Sequence, residues 1–468
     1  MNKKRMIKLA ALVTAIGIGA GVFAGCGTQN SQKTDDGRTI LSVEGYPEKD
    51  GPEKDRYDER IAKFEQENPD VKFEPTTWKF ELQTFFAKAA GGQLPNLFVT
   101  NYTEVDQCIN SGYIADMTDI LKKRGYEGIF NKAVLDVVSR DGKQYSFPAS
   151  AYLLGINFNT ELFEKAGLME ADGTPKQPQT WEELRDFAVK IKEKTGKSGF
   201  VLPTSNNCGG WMFMPIAWSY GTEFMKQDSD GKWKATFNTP ECAAALQYVK
   251  DLKWKYDVLP ANTLIDLQEY YKLMGTGNVG MLIATPGQAD TYATYGMEPQ
   301  NFGMMAIPAG PKRHVSLLGG TTYCVSGKSS EEQVDAAVRF IEQSMSFKVN
   351  DNFKKTIDKK IKTLQEANAA IGVKAMSVWS DKSETVKYEN EMIDKNANIN
   401  LNHVKLYNDF VANVPCEIQA EEPVSCQQLY AILDKCIQQV LTDENSDCAA
   451  ILEKANSDFQ VDYLDQMD

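Results

Sequence analysis

Few side chains in this sequence are of the types that perform catalysis. The two histidines, His314 and His403, stand in unrelated surroundings, which excludes a zinc site built on a histidine pair. The sequence has no Cys-x-x-Cys pair, no Gly-x-Ser-x-Gly turn for a nucleophilic serine and no Gly-x-x-x-x-Gly-Lys phosphate loop. A glycosidase stays open as an alternative, because Glu44, Glu104 and Asp106 fall in loops where two carboxylates could flank a sugar. We nevertheless expect no enzymatic activity, no cofactor and no metal.

Aromatic and polar side chains in predicted loops favour binding, and carbohydrate binding in particular. A sugar presents apolar C–H faces and many hydroxyls, so its site needs flat rings beside amide, hydroxyl and carboxylate groups. Trp211, which follows the polar run Asn206–Gly210, is the strongest candidate, and a core tryptophan under a flexible loop is the alternative. Weaker candidates, for which ordinary loop or strand packing is the alternative, are Tyr46, Trp78, Thr100, Asn101, Tyr102, Tyr152, Gln288 and Gly320.

Most of these loops follow predicted strands of a parallel sheet. Strands are predicted at Ile40–Val43, Val71–Glu74 and Leu94–Val99, with helices between them at Asp55–Glu67 and Glu81–Ala90. Alternation of this kind implies a parallel sheet whose ligands bind beyond the carboxyl ends of the strands. The loops at those ends are Glu44–Tyr46, Thr76–Phe80 and Thr100–Glu104.

The stretch from Tyr145 to Leu168 predicts a strand followed by a helix. Tyr145–Phe158 is apolar and rich in β-formers, and Gly155 inside it is typical of a strand that lies close against other backbone. Asn159 is placed to cap the helix that follows, which Gly167 ends.

The N-terminus has the features of an export signal. Four basic residues within the first eight precede an apolar run from Leu9 to Ala24. The ending Phe23-Ala24-Gly25-Cys26 resembles a bacterial lipobox, which implies that 1–25 is removed and that Cys26 carries a lipid anchor on the outer face of the cytoplasmic membrane. A plain signal peptide with a coincidental cysteine is the alternative. Residues 26–38 contain nothing that could form a core and are predicted to be a flexible tether.

The net charge excludes one class of partner, and the cysteine spacing leaves the disulfide content open. The 468 residues carry a net charge of −13, which would repel a phosphate-rich partner, so nucleic-acid binding is excluded. Besides Cys26, eight of the nine cysteines are scattered along the chain. Their spacing is compatible with disulfides and with buried free thiols.

Several loose motifs occur together and in a specific order. They are the strand–helix segment Tyr145–Leu168, the turn Gly91–Asn96, the helix start Pro178–Leu184, the strand entry Gly277–Ile283 and the C-terminal helices within Gln427–Gln460. Together they resemble family 1 of the extracellular solute-binding proteins of sugar ABC transporters, which are similar to maltose-binding protein. The resemblance spans nearly all of 40–468.

This resemblance implies a two-lobed α/β fold of the periplasmic-binding-protein type (class II). Each lobe would contain one mixed sheet flanked by helices, and the ligand cleft would lie between the lobes. Lobe 1 would hold about 40–149 and 315–365, and lobe 2 about 150–314 and 366–468.

The implied function is capture of a sugar or oligosaccharide and its delivery to an ABC transporter permease by a monomer. In maltose-binding relatives an aromatic ring at the place of Trp211 stacks on the ligand, and the side chain at the place of Tyr152 contacts it. Gln288 stands where relatives often carry tryptophan, which leaves no ring for stacking at that position. A receptor for another small solute, such as a peptide or a polyamine, is the alternative among binding proteins.

Overall fold

The computed structural model describes residues 32–467. The predicted signal peptide (1–25) and the predicted anchor residue Cys26 lie outside these described residues. The strands, in chain order, are β1 Thr39–Val43, β2 Val71–Pro75, β3 Leu97–Asn101, β4 Ser139–Arg140, β5 Lys143–Gln144, β6 Ser146–Leu153, β7 Gly155–Asn159, β8 Ser198–Val201, β9 Met225–Gln227, β10 Trp233–Ala235, β11 Val279–Ala284, β12 Phe302–Met305, β13 Val315–Val325 and β14 Glu417–Ala420.

Most helices begin at a residue that can cap them. The Asn159 side chain accepts a hydrogen bond from Leu162 N, and Ser330 with Gln333 forms a complete capping box. The helices are α1 Pro52–Glu67, α2 Phe85–Ala90, α3 Val105–Asn110, α4 Thr118–Lys123, α5 Lys132–Val137, α6 Thr160–Lys165, α7 Trp181–Thr195, α8 Cys208–Tyr220, α9 Pro240–Trp254, α10 Leu267–Gly275, α11 Ala289–Thr294, α12 Glu331–Glu342, α13 Asp351–Glu366, α14 Glu384–Lys395, α15 Asn402–Asn413, α16 Cys426–Thr442 and α17 Cys448–Asp462.

Two mixed sheets organise the chain. The first has the order β14-β13-β3-β1-β2, and β6 pairs with β13 as well. Its strands β1, β2 and β3 are parallel, as the alternation of strands and helices predicts, whereas β13 is antiparallel to β3 and β6. The second sheet has the order β12-β7-β11-β8, with β7 antiparallel to both of its neighbours. The mixed sheet expected in each half is confirmed.

The chain first passes from the first sheet to the second through a single residue, Leu154, and it returns to the first sheet between β12 and β13. β6 ends at Leu153 in the first sheet and β7 begins at Gly155 in the second. The prediction of one strand over Tyr145–Phe158 is therefore wrong: two strands of different sheets follow each other with only Leu154 between them. Leu154 is completely buried, so the crossing lies inside the core.

β6 and β14 both belong to the first sheet, whereas the ranges predicted for lobe 2 contain residues of each. The boundary predicted after 149 falls inside β6, which belongs to the first sheet as far as Leu153. β14 also joins the first sheet, although 366–468 was predicted to lie wholly in lobe 2. The sequence of β14 gives no hydrophobic signal, because none of its four residues is buried. The predicted tether also folds back in part, since Lys33 forms a β-bridge with Thr39 and Thr34 N donates to Arg38 O at 2.9 Å.

Both sheets contribute to one continuous hydrophobic core. Every residue of β7 and β11 is buried, which reflects the helices packed on both faces of the second sheet. No helix within 32–467 is both long enough and apolar enough to cross a membrane. All eight cysteines in the described part of the chain are free, and six of them are buried.

Replacing Gly155 with alanine should destabilise the crossing between the sheets. A Cβ atom at this position would lie 2.8 Å from Met305 O and 2.8 Å from the Tyr407 ring. Overpacking of this kind costs about 1–3 kcal/mol, so we expect a clearly lower Tm in thermal denaturation. Gly287→Ala is the matched control, because an added Cβ there meets nothing within 4 Å. Equal melting temperatures for the two variants would contradict the close packing at Gly155.

Candidate functional site

The carboxyl ends of β3 and β14 meet along the middle of β13. β14 runs parallel to β13 and ends opposite Leu318, whereas β3 runs antiparallel to β13 and ends opposite Thr321. Only Gly319 and Gly320 separate these two positions on β13. The residues at the end of β3 and those that follow β14, beginning with Glu421, therefore come to one place.

The glycine pair at this point leaves room for two tyrosine rings. A Cβ on Gly319 would lie 2.4 Å from Cζ of Tyr152, and a Cβ on Gly320 would lie 2.7 Å from Cε2 of Tyr102. Tyr102 is buried, and its hydroxyl donates to Ser150 O at 2.8 Å. Tyr152 is half-buried, and its ring lies beside the open space above Gly320. Larger residues in place of the glycines would displace these rings.

A cleft of about 240 Å³ opens at this junction. Its walls are the end of β3, β6 and β13 of the first sheet, the first turn of α8, and residues 421–430 around the start of α16. Because α8 follows β8 of the second sheet, the cleft lies between the two sheets. The volume is slightly below the range of about 300–1,000 Å³ that is usual for small-ligand sites, which suits a compact polar ligand.

Two aromatic rings form one corner of the cleft. The rings of Tyr152 and Trp211 meet edge to face, with centroids 6.3 Å apart and an interplanar angle of 73°. Nε1 of Trp211 is buried and has no hydrogen-bond partner within the described residues. The corner therefore presents apolar ring faces beside the polar side chains that line the cleft, which matches the mixed surface of a sugar.

The first turn of α8 is held in place by a carboxylate of α16. Asp434 accepts hydrogen bonds from Asn207 N at 2.7 Å and from Gly210 N at 2.8 Å. Asn206 and Asn207 adopt the left-handed conformation, which asparagine tolerates better than most residues, and this turns the amides toward Asp434. The contact fixes the start of α8 and with it the position of Trp211.

Two carboxyl groups lie near the cleft in surroundings of low polarity. Burial raises the pKa of Glu104 to about 7, although Thr103 and Thr100 donate hydrogen bonds to it. Burial also raises the pKa of Glu421 to about 8; the hydrogen bond from the Tyr430 hydroxyl lowers it and the charge of Glu104 raises it further. Both groups therefore hold a proton over part of the neutral pH range.

The structure brings four of the predicted ligand-binding residues into the cleft: Asn101, Tyr152, Trp211 and Gly320. Two others, Thr100 and Tyr102, are buried beneath it. Thr100 is 1% exposed and donates to Glu104, and Tyr102 is 4% exposed and donates to Ser150 O. They support the cleft and cannot offer their hydroxyls to a ligand, because each hydroxyl is buried and already hydrogen-bonded.

Three other candidates lie away from the cleft. The Tyr46 hydroxyl donates to Asp58 at 3.0 Å, and its ring packs on Tyr57. Trp78 packs edge to face against Phe85 and Phe98, in a small core of its own. These two loops follow β1 and β2, which are farther from β13 in the sheet than β3 is. Gln288 donates to Thr285 Oγ1 at 2.8 Å, beside a different groove.

That second groove, of about 450 Å³, lies between α13, α14 and the loop before α11. Ile357, Ile361, Ile371 and Ile393 form much of its wall. It is larger than the cleft but mainly apolar, and it lacks a ring face beside free polar groups. We therefore assign the candidate site to the cleft between the sheets.

Sequence reasoning missed the contribution of α16 and the loop before it. Glu421, Gln427 and Tyr430 line the cleft, and Asp434 supports it from behind. The only signal in the sequence was the pair of carboxylates in Glu421-Glu422, followed by Pro423, just before a predicted helix. Nothing local indicates that a segment more than 300 residues after β3 returns to the end of that strand.

Two mixed sheets, with a cleft between them and crossings near it, define the class of two-lobed solute-binding folds. The chain belongs to the bacterial extracellular solute-binding protein family, whose model matches residues 50–342. The family expected from the sequence motifs is thereby confirmed.

Similar proteins include several binding proteins. The diacetylchitobiose-binding protein DasA of Streptomyces coelicolor is 26% identical over 72% of this chain and 78% of its own length. The sn-glycerol-3-phosphate-binding protein UgpB of Escherichia coli K12 is 24% identical over 61% of this chain and 66% of its own. The structure of the cyclic α-maltosyl-1,6-maltose-binding protein of Arthrobacter globiformis aligns with a TM-score of 0.62 and 23% identity, over 90% of this chain and 98% of the other. All three are binding proteins for small solutes that contain a sugar or a polyol.

The raised pKa of Glu421 predicts a specific dependence of stability on pH. The folded protein retains a proton on Glu421 up to about pH 8, whereas an ordinary glutamate loses it near 4.5. The stability that this proton contributes is complete below about pH 4.5 and is lost as pH rises through 8. Glu421→Gln cannot titrate, so its Tm should fall less than that of the wild type between pH 6 and pH 8.5.

Glu417→Gln is the control for this measurement. Glu417 lies on β14, close in sequence to Glu421, but the hydrogen bond from Arg313 lowers its pKa, so it titrates below the window tested. Its Tm should follow the wild-type dependence from pH 6 to pH 8.5. Parallel curves for wild type and Glu421→Gln would contradict the raised pKa.

Proposed function

We propose that this protein captures a sugar or oligosaccharide in the cleft between its two lobes and delivers it to an ABC transporter permease. The observation that carries the proposal is the aromatic corner of Tyr152 and Trp211, which lies at the carboxyl ends of strands and joins elements of both sheets. Ring faces beside polar side chains such as Asn101 and Gln427 match a sugar better than they match a purely apolar or a densely charged ligand. The proposed ligand class agrees with the saccharides named for DasA and for the Arthrobacter protein.

Binding would stabilise a closed arrangement of the lobes. Asn101 and Tyr152 belong to the first sheet, and Trp211 belongs to a helix that follows the second. A ligand that touches all three gains its contacts only when both walls are close, so it shifts the population toward the closed form. The permease would then recognise that form. No covalent bond changes in this cycle, so we propose that the protein is not an enzyme.

Export and anchoring belong to the same proposal. The N-terminal signal and Cys26 would hold the mature protein, as a lipid-anchored monomer, at the outer face of the bacterial cytoplasmic membrane. Lobe 1 would consist of the first sheet with its helices, including β14, and lobe 2 of the second sheet with α8, α9 and α16.

One observation favours a second candidate, a small cationic solute such as a polyamine. Glu421 lines the cleft and forms no ion pair within the described residues, and carboxylates beside aromatic rings are typical of sites for cationic ligands. The same group can accept hydrogen bonds from sugar hydroxyls, so sugar remains the first candidate.

A thermal-shift screen of residues 32–468 against oligosaccharides, amino acids and polyamines tests the proposal. A ligand present at 100 times its Kd should stabilise the protein by about 2.7 kcal/mol, which raises the Tm measurably. Trp211→Ala should abolish the response to a sugar by removing the ring that stacks on it. Trp254→Ala is the matched control, because Trp254 lies on α9 outside the cleft and its Nε1 donates to Val440 O.

The outcomes separate the candidates. A sugar that stabilises the wild type and the Trp254 variant, and is recovered uncleaved, supports the proposal. A response to polyamines alone assigns the cleft to a cationic solute, and cleavage of the oligosaccharide would identify a glycosidase. A sugar response that persists in Trp211→Ala would place the ligand elsewhere.

A further inference from the structure

We infer that the cleft excludes anionic ligands and that Asp434 sets this selectivity, so that its ligand is an uncharged or amine-bearing sugar and not a sugar phosphate or polyol phosphate. The inference rests on the proposed function, since it names the substrate class of the same cleft. It depends on which group accepts hydrogen bonds from the backbone N–H groups at the start of α8, and on which side chains line the cleft.

The start of α8 is the place where an anion would otherwise bind. The N-terminus of a helix offers unpaired N–H groups and a partial positive charge, which together attract phosphate or carboxylate. α8 spans thirteen residues, and its first turn lines the cleft through Cys208 and Trp211. In this protein a carboxylate of the chain itself takes that position, since Asp434 accepts from Asn207 N and Gly210 N.

Asp434 can approach the start of α8 because the turn contains two glycines, Gly209 and Gly210. A Cβ on Gly209 would lie 2.7 Å from Oδ1 of Asp434, and a Cβ on Gly210 would lie 2.4 Å from Tyr430 O. Only glycine at both positions lets α16 come this close to the start of α8. The two glycines therefore serve to admit the carboxylate, and the amides they would offer to a ligand anion are already in use.

No other group in the cleft would compensate the charge of an anion. Among the residues described by the structure, neither lysine nor arginine lines the cleft. Glu421 also lines it, and Glu104 lies buried behind Thr103. A phosphate placed against Trp211 would meet a helix terminus that Asp434 already fills, and no lysine or arginine of the cleft lining could pair with it.

This selectivity separates the chain from one of its relatives. The UgpB relative is named for sn-glycerol 3-phosphate and the DasA relative for diacetylchitobiose, an uncharged saccharide. Family membership and similar identity do not distinguish between these ligand classes. The start of α8, which Asp434 already fills, and a lining without lysine or arginine among the described residues favour the uncharged class.

The test compares glucose with glucose 6-phosphate, and glycerol with sn-glycerol 3-phosphate, on the full mature chain by isothermal titration calorimetry. Each pair differs only in its phosphate, so the ratio of the two Kd values isolates the effect of charge. We expect the wild type to bind each phosphate at least tenfold more weakly than its uncharged partner. Asp434→Asn, which keeps the size and one acceptor oxygen, should lower this ratio severalfold.

A second variant and a second probe keep the inference testable if one of the variants does not fold. Asp434→Ser removes the carboxylate and opens the helix N-terminus, so sodium sulfate at constant ionic strength should raise its Tm more than it raises that of the wild type. Glu417→Gln, which removes a carboxylate of similar charge outside the cleft, should change neither the Kd ratio nor the sulfate response. A smaller Kd ratio in Asp434→Asn with normal folding supports the inference even if Asp434→Ser does not fold.

Two results would overturn the inference. One is a wild-type protein that binds either phosphate as tightly as its uncharged partner; the other is a Kd ratio and a sulfate response that Asp434 variants leave unchanged. The proposed function fails separately, when no uncharged or amine-bearing sugar stabilises the wild type. The sulfate comparison still decides the inference in that case, because it needs no sugar to bind.

Discussion

The site depends on β13, which pairs with two different strands along the same edge. β14 and β3 approach from opposite directions, and Gly319 and Gly320 lie between them on that edge, while on the other edge the two glycines pair with β6. Carboxyl ends of strands expose loops, so this arrangement brings two loops from distant parts of the chain to one point. The glycines are small enough for aromatic rings to pass over the sheet there, and the cleft opens beside those rings.

α16 links this junction to the second sheet. Its carboxylate Asp434 holds the start of α8, and Gln427 at its first turn lies 3.5 Å from Thr103 at the end of β3. The hydrogen bonds to Asp434 are short and made to backbone, whereas the contact of Gln427 is long and made between side chains. A change in the angle between the lobes would therefore break the contact at Thr103 first and leave α8 and α16 as one unit.

Local patterns predicted the elements well and the site only in part. Periodicity located α1 and the parallel strands β1–β3, because each depends on near neighbours in sequence. The same reasoning predicted β6 and β7 as one strand, because an apolar run does not show that its two halves belong to different sheets. It found Trp211 because a polar, glycine-rich loop precedes it. It missed Glu421, whose position depends on β14, a short strand with no buried residue to mark it.

Burial of carboxyl groups beside the cleft has a physical consequence for any ligand. Glu421 accepts one hydrogen bond, from Tyr430, and its surroundings raise its pKa to about 8, so the empty cleft favours the protonated, uncharged form near neutral pH. An uncharged sugar leaves that balance nearly unchanged, because it brings no charge. A cation favours the ionised form and would release the proton on binding, whereas an anion strengthens retention of the proton. Proton release or uptake during binding therefore reports the charge that the ligand places near Glu421.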